Sequence, residues 1–198
     1  QMKSIAKGLD EAGMPLIADP GFELSRSAAE AGFTVTAAPG PSAVLTALTL
    51  AGLPTDAFFF AGFLPNASAA RKTRLEALRS IPGTLVFYES PKRVSRFLTE
   101  LSEAMGAARE AVVCRELTKR FEEVTRSNLG ELAEQFADTV VRGEIVVLVG
   151  RAPSVRADQT SVDEALAAAL QSMSVKDAAT EVAERFALPR REIYQSAL

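Results

Sequence analysis

The stretch Thr84-Leu85-Val86-Phe87-Tyr88-Glu89-Ser90-Pro91-Lys92-Arg93 decides the fold class, because an apolar run passes directly into polar residues. Its apolar part, Thr84–Tyr88, is predicted as a strand from its β-branched and aromatic residues. The segment that follows the polar turn, Val94–Met105, is predicted as a helix. A strand that leads through a turn into a helix is the unit from which α/β proteins are built.

This alternation of strands and helices continues on both sides of the opening stretch. Between residues 55 and 150 the sequence predicts five strands and three helices, an α/β lobe whose neighbouring strands need not all be parallel. The strands are Phe58–Phe60, Thr84–Tyr88, Ala111–Arg115, Phe121–Arg126 and Glu144–Val149. The helices are Ser68–Ser80, Val94–Met105 and Gly130–Phe136.

Two further regions flank this lobe. Residues 1–54 predict part of another α/β lobe, which ends at Gly52-Leu53-Pro54, where the pattern of residue types changes. Residues 151–198 predict a polar linker, Arg151–Thr160, and then a helical segment that resembles a helix-turn-helix in its spacing. The elements predicted in the first region are the helices Gln1–Ala12, Glu23–Ala31 and Ala43–Leu50 and the strand Phe33–Ala37. Those in the last region are Val175–Phe186 and Arg190–Ala197.

The composition excludes several classes of protein. The 198 residues are 47 % hydrophobic and 24 % charged, so the chain can bury a core and is not disordered. A net charge of −3 excludes a wholly basic nucleic-acid coat, although it allows a local basic face. No apolar run approaches the ~20 residues of a membrane span, and Gln1–Leu9 lacks the apolar core of a signal peptide. We therefore expect a cytoplasmic protein.

The rare residue types narrow the chemistry further. The single cysteine, Cys114, excludes an intrachain disulfide framework and a multi-cysteine metal or iron–sulfur site. The absence of histidine removes Ser-His-Asp and Cys-His catalysis and every imidazole metal site. An enzyme with this composition must take its proton chemistry from carboxylates, lysine, tyrosine or an ionised cofactor.

Two turn-rich motifs in the first region are candidate ligand-binding loops. Gly13–Gly21 contains two prolines and two glycines, which fix the backbone and permit close approach to a ligand. Pro39-Gly40-Pro41-Ser42-Ala43 feeds a helix whose first amide groups could face a ligand. The ordinary structural alternatives are a strand-to-helix connection for the first motif and helix capping by Ser42 for the second.

Polar residues follow two of the predicted strands. The motifs Phe87–Arg93 and Arg115-Glu116-Leu117-Thr118-Lys119 both stand at the carboxyl end of a strand, where α/β sheets bind ligands. The alternative interpretations are a charged helix start for the first motif and a surface loop for the second.

Two basic patches lie elsewhere in the sequence. One is the helix Arg71–Arg79, and the other consists of Arg185, Arg190 and Arg191. Such helices are more often solvated faces than nucleic-acid sites.

In combination and in this order, the motifs resemble the ribosomal RNA small subunit methyltransferase I family of the tetrapyrrole-methylase-like superfamily. The resemblance covers nearly the whole chain, including a tail at Ser174–Leu198. The motifs that carry it are Gly13-x-Pro15-Leu16-Ile17-x-Asp19-Pro20-Gly21, Pro39-Gly40-Pro41-Ser42-Ala43, Gly52-Leu53-Pro54-x-Asp56, Gly62-Phe63-Leu64-Pro65, Phe87-Tyr88-Glu89-Ser90-Pro91-x-Arg93 and Arg115-Glu116-Leu117-Thr118-Lys119.

The resemblance implies a two-lobed α/β methyltransferase with a small C-terminal helical segment, usually a homodimer, with S-adenosylmethionine in the cleft between the lobes. The implied reaction is methyl transfer to the ribose 2′-hydroxyl of a cytidine in small-subunit (16S) ribosomal RNA. Two alternatives stay open: a porphyrinoid-precursor C-methyltransferase, and a non-catalytic RNA-binding module. The Arg-rich segments favour RNA over a porphyrinoid.

The sequence departs from the family at its start. The family begins with a strand and a Gly/Asp-rich loop, and almost none of this precedes Gly13, so residues 1–54 are expected to be the remainder of the N-terminal lobe. The family also has Ser-Asp-Ala-Gly where this chain has Asp10-Glu11-Ala12-Gly13.

The candidate site residues follow from these motifs. With no histidine, the candidate residues for removing the proton of the ribose 2′-hydroxyl or stabilising its negative charge are Glu89, Glu116 and Lys119. Of these we favour Glu116 and Lys119 as catalytic. Lys119 could stabilise negative charge or, if desolvated, act as a base, and Glu116 could orient it. No metal is expected. The resemblance places cofactor contacts on Ala12, Gly13, Pro15, Ser42, Ala43, Tyr88, Glu89, Leu117 and Thr118. The candidate RNA contacts are Arg71, Lys72, Arg74, Arg93 and Arg115.

Overall fold

The computed structural model describes residues 14, 16–18, 21–152, 159–186 and 188–197. A five-stranded sheet organises the described residues up to residue 152. The strand order is β1-β2-β5-β3-β4. β1 runs parallel to β2, and the other three neighbouring pairs are antiparallel. The strands are β1 (Phe58–Phe63), β2 (Thr84–Glu89), β3 (Glu110–Arg115), β4 (Glu123–Asn128) and β5 (Ile145–Val149).

This topology brings particular strand ends to one edge of the sheet. β1, β2 and β3 point the same way, whereas β5 and β4 run in the opposite direction. The carboxyl ends of β1, β2 and β3 therefore share an edge with the amino ends of β5 and β4. Residues far apart in the sequence meet at that edge.

Helices cover both faces of the sheet. The helices of this part are α1 (Phe22–Glu30), α2 (Ala43–Ala51), α3 (Ser68–Leu78), α4 (Val94–Met105) and α5 (Leu129–Phe136). On one face α2 packs over Val86, Val112 and Leu148. On the other face the apolar sides of α3, α4 and α5 pack over alternate residues such as Phe87 and Val147. Because both faces are buried, the central strands are continuous apolar runs.

The predicted α/β class is confirmed, and the predicted helix Val94–Met105 has the observed bounds. The predicted strand Phe33–Ala37 is wrong, since this segment is neither helix nor strand. A strand needs a hydrogen-bonding neighbour, and none of the described strands pairs with it. Phe33 is accordingly 72 % exposed. The weak helix predicted at Gln1–Ala12 lies outside the described residues.

Residues 153–198 form a second compact unit. Its helices are α6 (Gln159–Leu170), α7 (Val175–Phe186) and α8 (Arg190–Ser196). They bury a core of their own, in which Leu166, Val182 and Ile193 take part. The predicted C-terminal helical segment is confirmed, whereas the predicted division between residues 54 and 55 stays a prediction. Among the described residues, no helix is long and apolar enough to cross a membrane.

Candidate active site

A cavity of about 530 Å³ opens at the sheet edge described above. Its wall is formed by the start of α2, the end of β2 with the turn that follows, and the start of β5. The carboxyl ends of strands are the usual place for a ligand site in an α/β protein. The lining residues are Met14, Ile17, Ala18, Pro41, Ser42, Ala43, Phe63, Tyr88, Glu89, Ser90, Pro91, Gly143, Glu144, Ile145 and Val146.

The start of α2 lies in the wall of the cavity. Ser42 is the N-cap, with an extended backbone and no side-chain hydrogen bond that caps the helix. Ser42 and Ala43 both line the cavity, so the first turn of α2 faces it. The first amides of a helix lack partners inside the helix and favour a negatively charged ligand group. This end of the cavity can therefore hold a carboxylate or a phosphate.

The end of β2 supplies an aromatic ring and a buried carboxylate. The Tyr88 ring packs edge-on against Phe60 and Phe63, with ring centroids 4.9 and 5.5 Å apart. Glu89 is only 4 % exposed. Its Oε1 accepts hydrogen bonds from the backbone N–H of Ser90 at 2.6 Å and from Arg93 Nε at 2.8 Å. These bonds fix the carboxyl group at the wall of the cavity and balance its charge.

The turn after β3 has an unusual backbone. Glu116 and Thr118 have positive φ angles of 51° and 63°, which are uncommon for residues other than glycine. The turn is closed by hydrogen bonds from Lys119 N to Glu116 O at 3.0 Å and from Thr118 N to Glu122 Oε2 at 2.7 Å. Backbone outliers that the surroundings hold in place cluster at functional sites.

Glu116, Lys119 and Glu144 form a charged cluster at the rim of the cavity. The Lys119 ammonium lies 3.0 Å from Glu116 Oε1 and 3.1 Å from Glu144 Oε2. Glu116 Oε1 also accepts the backbone N–H of Glu144 at 2.9 Å. Lys119 does not line the cavity itself, but it contacts Glu144, which does. The cluster therefore holds one ammonium group between two carboxylates beside the cavity.

The electrostatics of this cluster bear on the two roles open to Lys119. The hydrogen bonds to Glu116 and then Glu144 raise the pKa of Lys119. The backbone N–H of Glu144, followed by Lys119, lowers the pKa of Glu116. The Lys119 side chain is 44 % exposed, so it is not desolvated. A charged ammonium fits the stabilisation of negative charge, and it does not fit the role of a proton acceptor.

The structure brings some predicted site residues together and separates others. Ser42, Ala43, Tyr88 and Glu89 all line the cavity. Leu117 packs instead in the core beneath α2, and the turn that holds Thr118 lies outside the cavity wall. The remaining predicted cofactor contacts, Ala12, Gly13 and Pro15, lie outside the described residues.

Sequence analysis missed the start of β5. Gly143, Glu144, Ile145 and Val146 all line the cavity. β5 is antiparallel to β2 and β3, so its amino end lies at the same edge as their carboxyl ends. The Gly143-Glu144 pair directly before an apolar strand was the available signal.

The prediction that Arg71 contacts RNA phosphates is corrected by the structure. Arg71 is 5 % exposed, and its guanidinium lies 2.5 Å from Glu100 Oε2. It also donates to the carbonyl oxygens of Pro65 and Asn66 at 2.9 and 2.8 Å. Its donors are thus occupied by an internal network, which raises the pKa of Arg71, chiefly through the bond to Glu100.

The other predicted RNA contacts fall into two groups. Arg93 and Arg115 are half-buried and form ion pairs with Glu89 and Glu123 at 2.7 and 2.9 Å, so their charges are already compensated. Lys72 and Arg74 are exposed on α3. Arg74 lies over the Phe59 ring with 5.9 Å between the guanidinium carbon and the ring centroid. Lys72 and Arg74 are the members of the set that remain available to a nucleic acid.

The sheet, the cavity at its edge and the charged rim define an α/β protein with a candidate small-ligand site. The chain belongs to the tetrapyrrole (corrin/porphyrin) methylase family, whose model matches residues 9–133. A second family model, described as the RsmI C-terminal HTH domain, matches residues 156–198.

Two curated relatives carry the name ribosomal RNA small subunit methyltransferase I. The protein of that name from Mesorhizobium japonicum is 44 % identical over 192 residues, which are 96 % of this chain and 65 % of the relative. The one from Mycobacterium tuberculosis is 43 % identical over 193 residues, 96 % of this chain and 67 % of the relative. The chain thus spans about two thirds of the length of these relatives.

Two solved structures illustrate the fold that this chain shares with other proteins. The crystal structure of the methyltransferase CobJ has a TM-score of 0.53 and 25 % identity, covering 72 % of this chain and 63 % of that chain. The crystal structure of diphthine synthase has a TM-score of 0.54 and 16 % identity, covering 75 % of this chain and 64 % of that chain. Because diphthine synthase is only 16 % identical to this chain, its similarity shows the fold alone.

Proposed function

We propose that this chain transfers a methyl group from S-adenosylmethionine to the 2′-hydroxyl of a cytidine ribose in small-subunit ribosomal RNA. The observation that carries the proposal is the cavity with a fixed ammonium, Lys119, held at its rim between two carboxylates. The curated relatives that carry the name of such an enzyme support the choice of substrate. A homodimer in the cytoplasm belongs to the same proposal.

The cavity fits the chemical groups of S-adenosylmethionine. Its volume of about 530 Å³ lies within the range of about 300–1,000 Å³ that is typical of small-molecule sites. Phe63, Ile145 and Val146 offer apolar surface for an adenine ring, and the start of α2 offers amides for a carboxylate. Glu89 and Glu144 can accept hydrogen bonds from ribose hydroxyls or an ammonium group.

The residues of the chain supply position and charge to the reaction. When bound, S-adenosylmethionine supplies a reactive methyl group on its sulfonium sulfur. The 2′-oxygen of the ribose would form a bond to the methyl carbon as the carbon–sulfur bond breaks, and the hydroxyl proton would pass to solvent water. Where the proton leaves ahead of the methyl transfer, negative charge develops on that oxygen. Lys119 stabilises the charge electrostatically, and Glu116 holds the ammonium in place.

The cofactor part of the proposal predicts that Ala43→Leu weakens S-adenosylmethionine binding at least about tenfold. Ala43 is exposed at the first position of α2 and lines the cavity, so a larger side chain fills the binding space without disturbing the core. A loss of this size corresponds to ~1.4 kcal/mol. Calorimetric titration of the cofactor measures the effect.

The matched control for this variant is Thr49→Leu on the same helix. Thr49 is exposed and does not line the cavity, so the control should bind the cofactor as the unmodified chain does. Equal affinities for both variants would remove the start of α2 from the cofactor site.

The RNA part of the proposal predicts an altered salt dependence when Lys72 and Arg74 are both replaced by methionine. Each lost phosphate contact should reduce the slope of log affinity against log salt by roughly 0.7–0.9. RNA binding measured at several salt concentrations tests this, and cofactor affinity serves as the control. An unchanged slope would mean that α3 presents an ordinary solvated face.

One alternative function has an observation in its favour. The family model is named for tetrapyrroles, and the methyltransferase CobJ shares the fold at 25 % identity. Incubation of the chain with labelled S-adenosylmethionine and either small ribosomal subunits or a porphyrinoid precursor separates the two. Label in the RNA supports the proposal, and label in the porphyrinoid overturns it. Cofactor binding without transfer to either would overturn it in favour of a non-catalytic module.

A further inference from the structure

We propose that Gly143 is a positioning residue for Lys119, because its missing side chain leaves the space that the Glu116 carboxylate fills. The inference rests on the proposed function for its effect on rate. Gly143 lines the cavity, and the role inferred for it is exerted through Glu116.

The geometry around Gly143 shows how little room a side chain would have. A Cβ atom built on Gly143 would come within 2.5 Å of the Glu116 carboxyl group, well inside contact distance. The carboxyl group lies there because its Oε1 accepts the Glu144 amide at 2.9 Å and the Lys119 ammonium at 3.0 Å. The backbone joins the same residues through the bond from Glu116 N to Glu144 O at 3.0 Å.

The close approach is separate from the backbone requirement for glycine. Gly143 has a φ angle of +94°, which by itself disfavours other residues. Gly106, at the end of α4, has a nearly equal φ angle of +98°, and a Cβ there would meet nothing within 4 Å. Substitution by alanine would strain the backbone at both glycines, but at Gly143 the new Cβ would also overlap the Glu116 carboxylate.

An added methyl group at residue 143 therefore acts on the charged cluster. It displaces the Glu116 carboxylate from the Glu144 amide and from Lys119, and leaves Glu144 as the remaining carboxylate on the ammonium. Among the described residues, the charged groups that face Lys119 are Glu116 and Glu144, and Arg115 acts on Glu116 from the end of β3. Lys119 then loses both its fixed position and part of the negative charge that favours its protonated form.

The test compares Gly143→Ala with Gly106→Ala in two measurements. NMR titration of the Lys119 side chain should give a lower pKa in Gly143→Ala than in the unmodified chain, and the same pKa in Gly106→Ala. Methyl transfer to small subunits should lose about 10- to 100-fold in kcat in Gly143→Ala, with KM for RNA nearly unchanged. Gly106→Ala should transfer methyl groups within about twofold of the unmodified chain.

A second variant, Glu116→Asp, keeps the test decisive if Gly143→Ala alone fails to fold, because the shorter side chain relieves the overlap and the double variant should then fold. Glu116→Asp shortens the side chain, so its carboxylate can no longer reach the Glu144 amide and Lys119 together, and it should lower the Lys119 pKa and kcat in the same way. In the double variant the added methyl group should cause little further loss, because the overlap is gone. Fully additive losses, or a Lys119 pKa in Gly143→Ala equal to that in Gly106→Ala, would overturn the inference.

The two proposals fail in different ways. The Lys119 titration needs no methyl transfer, so it reports on Gly143 even if the chain methylates no RNA. Absence of transfer by the unmodified chain would overturn the proposed function alone. Unchanged kcat in Gly143→Ala, beside an active unmodified chain, would overturn the positioning role alone.

Discussion

Replacing Lys119 with methionine is expected to lower the single-turnover rate of methyl transfer by about 100-fold or more. Methionine has a similar length but no charge, so the negative charge that develops on the ribose oxygen loses its stabilisation. Binding of cofactor and RNA should change little, because this interaction matters most in the transition state. The measurement is single-turnover transfer of labelled methyl groups to small subunits at saturating cofactor.

Two companion variants sharpen this prediction. Lys119→Arg keeps the positive charge and should lose less activity than Lys119→Met. Glu116→Gln should show a smaller loss than Lys119→Met if Glu116 only orients the ammonium. Because its carboxylate partners Glu116 and then Glu144 raise the pKa of Lys119, the group stays charged to a higher pH than an ordinary lysine, and its contribution should disappear only above the pH at which an ordinary lysine loses its proton.

The outcome also decides between competing roles. A wild-type rate in Lys119→Met would show that Lys119 is not catalytic, and Glu89 would become the leading candidate. A rate that is normal only at saturating RNA would make Lys119 a phosphate contact.

The second large effect is expected on stability: Arg71→Met should lower the free energy of unfolding by about 2–4 kcal/mol. The change leaves the Glu100 carboxylate without its main partner and removes donors from the carbonyl oxygens of Pro65 and Asn66. Arg96→Met is the matched control, because Arg96 also pairs with Glu100 but is 65 % exposed. Exposed pairs contribute about 0–1 kcal/mol. Urea unfolding of both variants gives the comparison.

The effect of Arg71→Met should depend on pH in a defined direction. The hydrogen bond from Arg71 lowers the pKa of Glu100 in the folded state. The resulting stabilisation is present above the unfolded pKa of about 4.3 and is lost as the pH falls through the lower folded value. The stability difference between the wild type and Arg71→Met should therefore shrink in acid. If Arg71→Met were no less stable than Arg96→Met at neutral pH, Arg71 would again be a candidate phosphate contact.

Residue patterns predicted the elements of the sheet because the spacing of apolar residues along the sequence is a local property. The apolar run at Thr84–Tyr88 and the spacing of Val94–Met105 are set by the face that each element buries. Phe33–Ala37 shows the limit, since alternation alone cannot provide a pairing partner. Arg71 carried an overlooked signal: it stands four residues before Leu75 and seven before Leu78, so it shares their buried face.

The sequence predicted the site residues that follow the carboxyl end of a strand, but not those that precede an antiparallel strand. Tyr88 and Glu89 were found because they end a strand and begin a turn. Gly143 and Glu144 were not found, because they contribute through an antiparallel strand whose direction depends on pairing between distant segments. The contact between Lys119 and Glu144 likewise joins two strand ends that are neighbours only in the folded sheet.

One measurement tests the central claim most directly: the position of the methyl group that the chain transfers to small ribosomal subunits lacking it. The subunits are incubated with the chain and labelled S-adenosylmethionine, and their RNA is hydrolysed with alkali. A 2′-O-methyl group blocks cleavage of the neighbouring phosphodiester, so the predicted result is label in an alkali-resistant dinucleotide that contains a cytidine. Label on a base, or no label from a folded chain that binds the cofactor, would contradict the account.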